Sequence, residues 1–298
     1  MKPRTLISWP MVAAFVAAVG FTSTVLGQGK PSEEAAWLAF TRPQPPEATF
    51  KYVANGSENQ ELEIYAPAGL RPAGKLSPVL ILVHGGGWTR GTREALAPHA
   101  RYLAARGWVC VNISYRLTSE PGITLVDAQA DVRAALDWVR AQAAERSWDP
   151  QRISALGESA GGQLVCALGM LPPDPNRWRV HSLVLFNPVL DLTTLKWALA
   201  TPGVRGPGKS AHDSAEWASP LFHLTSAAPP ILLLHGRKDA TVPIAQAEAF
   251  AARANSVGAK VDLIVVENAA HAFLLQGYGK PDEIRAALGQ IADFLGKP

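Results

Sequence analysis

Residues 157–161 read GESAG and place Ser159 between two glycines. The pattern G-x-S-x-G is typical of a sharp strand-to-helix turn that presents a serine hydroxyl for nucleophilic attack, and its glycines keep the neighbouring backbone from clashing. The preceding RISAL favours a strand and the following AGGQLVCALGML favours a helix, as such a turn requires. We therefore predict Ser159 as a nucleophile, with Gly157, Glu158 and Gly161 completing the motif.

A serine hydroxyl is a weak nucleophile unless a base removes its proton and a third group orients that base. With this motif, the acid follows the serine along the chain and the histidine follows the acid. His271 comes after the last apolar run, VDLIVV, and Asp239 comes after the run before it, in GRKDATVP. We predict His271 as the general base and Asp239 as its acidic partner, with Glu267 and Asp262 as alternative acids.

Four other histidines follow Ser159 in the chain. His181 and His235 lie at or just inside the edges of predicted strands, and we interpret them as structural. His212 and His223 fall in an irregular stretch and are predicted to be exposed.

Three consecutive glycines occur in LILVHGGGW, residues 80–88. Such a loop suits a phosphate cradle, a metal loop built on His84, or a set of backbone N–H donors. A phosphate cradle would require a GK[ST] ending or a G-x-G-x-x-G pattern, and His84 has no partner at metal-ligand spacing. We predict that the N–H groups of Gly86, Gly87 and Ala160 bind the oxyanion that forms during acyl transfer.

The remaining residues of this loop have supporting roles in the prediction. His84 is expected to brace the loop by hydrogen bonding, and Gly85 belongs to the motif. Trp88 either contacts substrate or packs beneath the loop.

The elements that position these residues alternate along the chain from residue 78. Six apolar runs read PVLILVH, WVCVNISY, RISALG, HSLVLFNP, ILLLHG and VDLIVVE. Nearly continuous hydrophobicity is typical of parallel strands covered on both faces. Three segments between and after these runs have the apolar spacing of a helix. The first has its apolar stripe at Leu125, Val132, Leu136 and Val139, and the last at Ile284, Leu288, Ile291 and Leu295. The middle one, after Pro243 and before Gly258, has its stripe at Ile244, Ala247, Phe250, Ala251 and Ala254. The chain is thus predicted to be an α/β protein with a doubly wound, mostly parallel sheet.

Two segments flank or interrupt this alternation. FKYV and ELEIYAP surround the polar ANGSENQ and predict an N-terminal antiparallel hairpin. Residues 188–229 contain no strong strand pattern and many Gly, Pro and Ser residues, so we expect a small cap or lid loops over the site.

The first 27 residues have the pattern of a secretory signal peptide. Lys2 and Arg4 precede an apolar centre, and Val25-Leu26-Gly27 suits cleavage. The apolar run is short and broken by Thr and Ser, so a membrane anchor is the weaker interpretation. We expect a hydrolase domain over residues 28–298, secreted or periplasmic, with no stable membrane anchor after cleavage.

Composition excludes several classes of function. The 298 residues carry a formal net charge of +3, and removal of Lys2 and Arg4 leaves 26 basic and 25 acidic residues. Nucleic acid is therefore not an expected partner. Cys110 and Cys166 lie in apolar segments without CxxC spacing, so they support neither a metal site nor a cofactor. The sequence is compatible both with two buried free thiols and with one disulfide.

The motifs HGGGW, YRL, GESAGG, GRKDATVP and AAHAF together resemble the α/β-hydrolase superfamily. More narrowly, they resemble the hormone-sensitive-lipase-like esterases and the secreted acetyl, acetylxylan and feruloyl esterases. The resemblance runs from about residue 50 to the C-terminus and implies the α/β-hydrolase fold, a triad of Ser159, Asp239 and His271, and oxyanion donors at Gly86, Gly87 and Ala160.

The chain departs from the lipase-like pattern in two places. YRL continues as TSEP instead of AP and E, and only residues 28 to about 48 precede the hairpin, so little N-terminal cap is expected. A thinly covered site suits short acyl groups on bulky or polymeric alcohols, and we hypothesise a carboxylesterase acting on small-molecule or polysaccharide esters. A serine exopeptidase and a non-catalytic ligand-binding homologue are the alternatives, and the oligomeric state is left open.

Overall fold

The computed structural model describes residues 32–68, 74–172, 174–204 and 210–296. All of them belong to one compact unit, Pro31–Pro298. The predicted signal peptide, residues 1–27, lies outside the described residues.

Eight strands form one sheet in the order β1-β2-β4-β3-β5-β6-β7-β8. Their bounds are β1 Ala48–Lys51, β2 Glu61–Tyr65, β3 Ser77–Val83, β4 Val109–Ile113, β5 Trp148–Glu158, β6 Leu183–Phe186, β7 Ile231–Gly236 and β8 Val261–Val266. β2 is antiparallel to both β1 and β4, and every other pair is parallel. The predicted mostly parallel sheet with an N-terminal antiparallel hairpin is confirmed.

The helices connect the strands and cover both faces of the sheet. Their bounds are α1 Glu33–Thr41, α2 Ala97–Ala105, α3 Leu125–Gln142, α4 Ala160–Val165, α5 Lys196–Ala200, α6 Ala211–Ala218, α7 Pro220–His223, α8 Ala245–Val257 and α9 Pro281–Leu295. Local sequence explains several ends: Thr124 and Asp127 form a capping box before α3, and Gly258 ends α8 in the left-handed conformation.

Side chains alternate between the two faces along the buried strands, which divides the core into two layers. On β3, Val79, Ile81 and Val83 pack with residues of α3, α4 and α8, whereas Leu80 and Leu82 pack with residues of α1, α2 and α9. All seven residues of β3 are buried. Continuous hydrophobicity thus follows from helices on both faces, as predicted.

The segment between β6 and β7 contains short helices and, in its described part, no strand. It holds a 3-10 turn at Leu192–Thr194 and the helices α5, α6 and α7. Trp197 of α5 reaches the candidate site, where its indole N–H donates to the Thr241 carbonyl.

Both cysteines are buried free thiols, Cys110 on β4 and Cys166 just after α4. Of the two arrangements that the sequence left open, the structure contains the one without a disulfide. None of the described helices combines the length and apolarity that a membrane span requires.

Candidate active site

Ser159 lies at the sharp turn between β5 and α4. Its backbone has φ 52° and ψ −116°, a conformation that non-glycine residues seldom adopt. Two backbone hydrogen bonds hold it there: Ser159 N–H donates to the Phe186 carbonyl at 3.0 Å, and Val189 N–H donates to the Ser159 carbonyl at 3.2 Å. The end of β6 therefore fixes a strained turn that points the hydroxyl away from the sheet.

The glycines of GESAG are required by close backbone approach. A Cβ on Gly157 would collide with the Gly161 carbonyl and lie 2.7 Å from Gly162 N. A Cβ on Gly161 would collide with the Val83 and His84 carbonyls at the end of β3. Any side chain at these positions would push α4 away from the strands that position Ser159.

Ser159, His271 and Asp239 form one continuous row. Ser159 Oγ lies 3.0 Å from His271 Nε2, and His271 Nδ1 lies 2.7 Å from Asp239 Oδ2. With Nδ1–H donating to the carboxylate, Nε2 is free to accept the serine proton. The structure thus brings together the three residues predicted as nucleophile, base and acid, from the loops after β5, β8 and β7.

Asp239 is held as a buried carboxylate. Its Oδ1 accepts hydrogen bonds from Thr241 N–H at 2.9 Å and Val242 N–H at 2.8 Å. Burial alone would raise the pKa of Asp239, but the hydrogen bonds from His235, His271 and the Val242 N–H outweigh burial and keep that pKa well below its usual value. The side chain therefore stays ionised at neutral pH and favours a proton on His271 Nδ1.

His235 contributes to this site, which the sequence analysis did not anticipate. It is fully buried at the end of β7, and its Nε2 lies 2.8 Å from the Val242 carbonyl and 3.4 Å from Asp239 Oδ2. The interpretation of His235 as structural is correct but incomplete, because it helps to orient Asp239. Its place four residues before the acid, at the end of the same strand, is the signal that was available.

The alternative acids and the other histidines have different surroundings. Glu267 is exposed and pairs with Arg237 at 2.7 Å, and Asp262 is exposed on β8. His181 and His212 are exposed, whereas His223 is half-buried and contacts the Trp217 carbonyl at 2.9 Å through Nε2. His212 is thus exposed as predicted, and His223 is only partly so. His181, interpreted as structural at a strand edge, is exposed.

The glycine-rich loop begins beside the serine turn, because Val83 and Gly157 are register partners of β3 and β5. Gly86 and Gly87 have φ 115° and 62°, so both adopt conformations that glycine tolerates best. A Cβ on Gly86 would also collide with the Arg90 carbonyl. Side chains are therefore disfavoured at both positions of this turn, as a set of backbone N–H donors would require.

Two further N–H groups belong to this region. Ala160 is the first residue of α4, where a backbone N–H has no acceptor within its own helix. Gly85 donates its N–H to the carboxyl group of Glu158. Gly85 thus supports the loop through Glu158, whereas Gly86, Gly87 and Ala160 remain the predicted oxyanion donors.

His84 braces the loop. Its Nδ1 lies 2.7 Å from the Gly85 carbonyl, its ring stacks on Tyr115 with centroids 4.4 Å apart, and it is buried. Burial lowers the pKa of His84 to about 4, so its ring is neutral at neutral pH. Within the described ranges, no cluster of three His, Cys, Asp or Glu side chains suits a metal ion.

Of the two possibilities left open for Trp88, the structure contains the second, packing beneath the loop. Its side chain is completely buried, its indole N–H donates to Gln163 Oε1 at 3.2 Å, and its ring stacks on Trp197 at 5.8 Å. The left-handed backbone at Trp88, φ 61°, turns the ring inward beneath the loop.

Trp197, which lies on α5, stands beside the site instead. Its indole N–H donates to the Thr241 carbonyl at 3.0 Å, and its Cζ3 lies 3.7 Å from the position that a Cβ on Gly87 would take. The half-buried ring therefore spans from the glycine-rich loop to the loop that carries Asp239.

The fold and the row of serine, histidine and aspartate define an α/β-hydrolase. More particularly, the chain belongs to the BD-FAE family, whose model matches residues 62–253.

Similar proteins are described as esterases. The chain is 35% identical to the probable carboxylic ester hydrolase LipM of Mycobacterium tuberculosis over 72% of its own length and 54% of LipM. It is 33% identical to the esterase LipQ of the same organism, over 82% of its own length and 61% of LipQ. It thus spans little more than half the length of these curated relatives.

One solved esterase structure matches this chain over most of the length of both proteins. The thermophilic esterase Est2 of Thermogutta terrifontis, with propionate bound, superposes with a TM-score of 0.72 at 30% identity, covering 86% of this chain and 96% of Est2. Est2 has also been solved phosphorylated by paraoxon, with a TM-score of 0.73.

Proposed function

We propose that the protein is a serine carboxylic-ester hydrolase. The observation that carries this proposal is the unbroken row from Ser159 Oγ through His271 to Asp239, beside a loop of left-handed glycines. The descriptions of LipM, LipQ and Est2 as esterases support it.

Acylation follows from this geometry. His271 Nε2 takes the hydroxyl proton while Ser159 Oγ forms a bond to the ester carbonyl carbon. The carbonyl oxygen becomes an oxyanion, which the N–H groups of Gly86, Gly87 and Ala160 bind. The ester C–O bond then breaks, and the alcohol leaves with the proton from His271.

Deacylation uses the same groups. His271 removes a proton from a water molecule, and the resulting hydroxide attacks the acyl-enzyme carbonyl. The bond to Ser159 Oγ breaks, the oxygen regains a proton from His271, and the carboxylic acid is released. In both stages the ionised Asp239, 2.7 Å from Nδ1, stabilises the positively charged imidazole.

Short acyl groups are the proposed substrate class. The Trp197 ring lies between Gly87 and the Thr241 carbonyl, and we propose that the acyl group lies against this ring, which would limit its length. Est2 structures with propionate and with butyrate bound support this choice. Carbohydrate-linked esters of acetate or ferulate are the natural substrates we propose.

Export from the cytoplasm is a further part of the proposal. It depends on the basic, apolar and small-residue pattern of residues 1–27. Cell fractionation of the full chain, with mass spectrometry of the mature N-terminus, tests it: we expect secreted or periplasmic protein that begins near residue 28.

Hydrolysis of p-nitrophenyl acetate tests the activity. Ser159→Ala is expected to lower kcat at least about a thousandfold, because nucleophile and base act as a unit. Ser256→Ala, an exposed serine on α8, is the matched control and should leave turnover unchanged. Undiminished turnover by Ser159→Ala would refute the assignment.

A substrate panel separates the remaining alternatives. In a panel of acetyl to decanoyl nitrophenyl esters, acetylated xylan, methyl ferulate and aminoacyl nitroanilides, we expect rapid cleavage of the short-chain esters, acetylated xylan and methyl ferulate, and slow cleavage of the decanoyl ester and the aminoacyl amides. Preference for the aminoacyl amides would indicate an exopeptidase. No turnover of any member, together with no labelling by a fluorophosphonate, would indicate a non-catalytic binding protein.

A further inference from the structure

Glu158 is a buried carboxylate beside the candidate site with no assigned part in the reaction above. It is the last residue of β5 and is 5% exposed. One side of its carboxyl group meets the glycine-rich loop: Gly85 N–H donates to it, and a Cβ on Gly85 would collide with Oε2. The missing side chain at Gly85 is therefore what makes room for this carboxyl group.

The other side of the carboxyl group faces the base. Glu158 Oε1 lies 3.9 Å from His271 Nε2, the nitrogen that receives the proton of Ser159. Asp239, in contrast, is placed at Nδ1 on the far edge of the imidazole ring. The ring therefore stands between two carboxyl groups, one for each nitrogen.

The surroundings leave Glu158 without a permanent cationic partner. In the described part of the chain, His271 is the one basic side chain within ion-pair distance of it. The other charged group that acts on it is Asp239, whose negative charge opposes a second one there. Tyr115 also lies nearby, but burial raises the pKa of its hydroxyl so that it stays neutral. A charge on Glu158 is thus best compensated when His271 is positive, which happens during the reaction.

The protonation of Glu158 is consistent with this placement. Burial raises the pKa of its carboxyl group to about 7, although His271 and the Gly85 N–H favour the charged form. The group therefore changes charge within the range in which esterase activity is measured, whereas Asp239 remains ionised throughout it.

We propose that Glu158 is a positioning residue whose ionised carboxylate stabilises the positive charge that His271 acquires as Ser159 attacks. This inference rests on the proposed esterase function. No proton passes to Glu158: the proton of Ser159 moves to His271 Nε2, and Glu158 acts through its charge and through its hold on Gly85. Protonation removes the charge of Glu158 but leaves the size and packing of its side chain unchanged. Activity should therefore rise as this one carboxyl group ionises.

Glu158→Gln separates charge from structure. Glutamine has nearly the same shape, and its Oε1 can still accept the Gly85 N–H, so a purely structural role predicts little change. Loss of the charge should instead lower kcat/KM for p-nitrophenyl acetate about tenfold or more at pH 8, since an opposite charge within 4–6 Å favours the charged form by about 1–3 pKa units. At pH 5.5, where Glu158 is largely protonated, the two proteins should differ by less than about threefold.

The deciding readout is the ratio of wild-type to Glu158→Gln kcat/KM between pH 5.5 and 8.5. A ratio that rises through a midpoint near pH 7 supports the proposal, and a ratio that stays constant overturns it. Glu267→Gln, at an exposed carboxylate paired with Arg237, is the matched control and should give a flat ratio near one.

Two further variants keep the outcomes distinct. Glu158→Asp keeps the charge and should retain a pH-dependent advantage over Glu158→Gln; loss of that advantage counts against a role for charge. If Ser159→Ala is inactive and the ratio of wild-type to Glu158→Gln kcat/KM does not change with pH, only the role of Glu158 is rejected. Fully active Ser159→Ala would instead reject the proposed function itself.

Discussion

Replacement of Asp239 by asparagine should almost abolish turnover without unfolding the protein. Oδ1 of Asp239 accepts two backbone N–H groups, from Thr241 and Val242, at 2.9 and 2.8 Å. In Asp239→Asn only the amide oxygen can take that place, so the amide NH2 must face His271 Nδ1. His271 then accepts at Nδ1 and carries its proton on Nε2, where it cannot receive the proton of Ser159.

The magnitude follows from the charge and the tautomer together. A carboxylate and an imidazolium with charge centres about 4 Å apart interact by about 4 kcal/mol at an effective dielectric constant of about 20. Loss of that interaction lowers the rate about a thousandfold, since each 1.36 kcal/mol is about a factor of ten. The unfavourable tautomer adds to this loss, and we expect kcat to fall by about 10³ to 10⁴ with KM changed less than about threefold.

The assay is steady-state hydrolysis of p-nitrophenyl acetate by wild type, Asp239→Asn and Asp262→Asn. Asp262 is an exposed carboxylate on β8 and should be replaceable without effect. Thermal unfolding of each variant shows whether the fold is retained. A folded Asp239→Asn that keeps more than a tenth of wild-type kcat would refute the assignment of Asp239 as the partner of His271.

Three further predictions concern specificity and stability. Trp197→Ala should raise kcat/KM for decanoyl relative to acetyl nitrophenyl esters about tenfold or more, because removal of the ring opens space beside Gly87; an unchanged ratio would contradict its place in the acyl pocket. Leu288→Ala, at a buried position of α9, should lower the urea-measured free energy of unfolding by about 2–5 kcal/mol, and a loss below 1 kcal/mol would contradict the packing. Folding raises the pKa of Glu158 from 4.5 to about 7, so the folded protein holds this proton more tightly than the unfolded chain does. The resulting contribution to the free energy of unfolding, about 3 kcal/mol at most, is fully present below pH 4.5 and is lost as pH rises through 7. Urea unfolding of Glu158→Gln should lack that decline, and an equal decline in both proteins would be the contrary result.

The sheet could be predicted from sequence because its strands are covered on both faces. Each apolar run from residue 78 corresponds to a strand, since parallel strands leave no exposed face to interrupt hydrophobicity. The start of β5 was missed by four residues. Trp148–Gln151 carries Asp149 and Pro150, which disfavour a strand, and it joins the sheet through an irregular pairing of Ser77 with Trp148.

The principal site residues were predictable because their positions follow from strand ends. Carboxyl ends of parallel strands meet at one edge, so Ser159, Asp239 and His271, each after a different strand, had to lie near one another. Their hydrogen bonds, at 3.0 and 2.7 Å, agree with that expectation.

What sequence reasoning missed depends on side-chain direction within the same loops. Spacing does not show that Trp88 turns inward, which results from its left-handed backbone. Nor does spacing show that Glu158 reaches His271 Nε2, because that contact joins side chains that follow different strands. The contact of His235 with Asp239 lies within one strand end, but the direction of the two side chains is not visible in the sequence. These properties require the packed structure.

Covalent labelling of Ser159 tests the central claim most directly. Wild-type protein treated with a fluorophosphonate and measured by intact-mass and peptide mass spectrometry should gain one adduct, located on Ser159, in step with loss of esterase activity. Ser159→Ala should gain none. An adduct on another residue, or full activity in protein labelled at Ser159, would contradict the account.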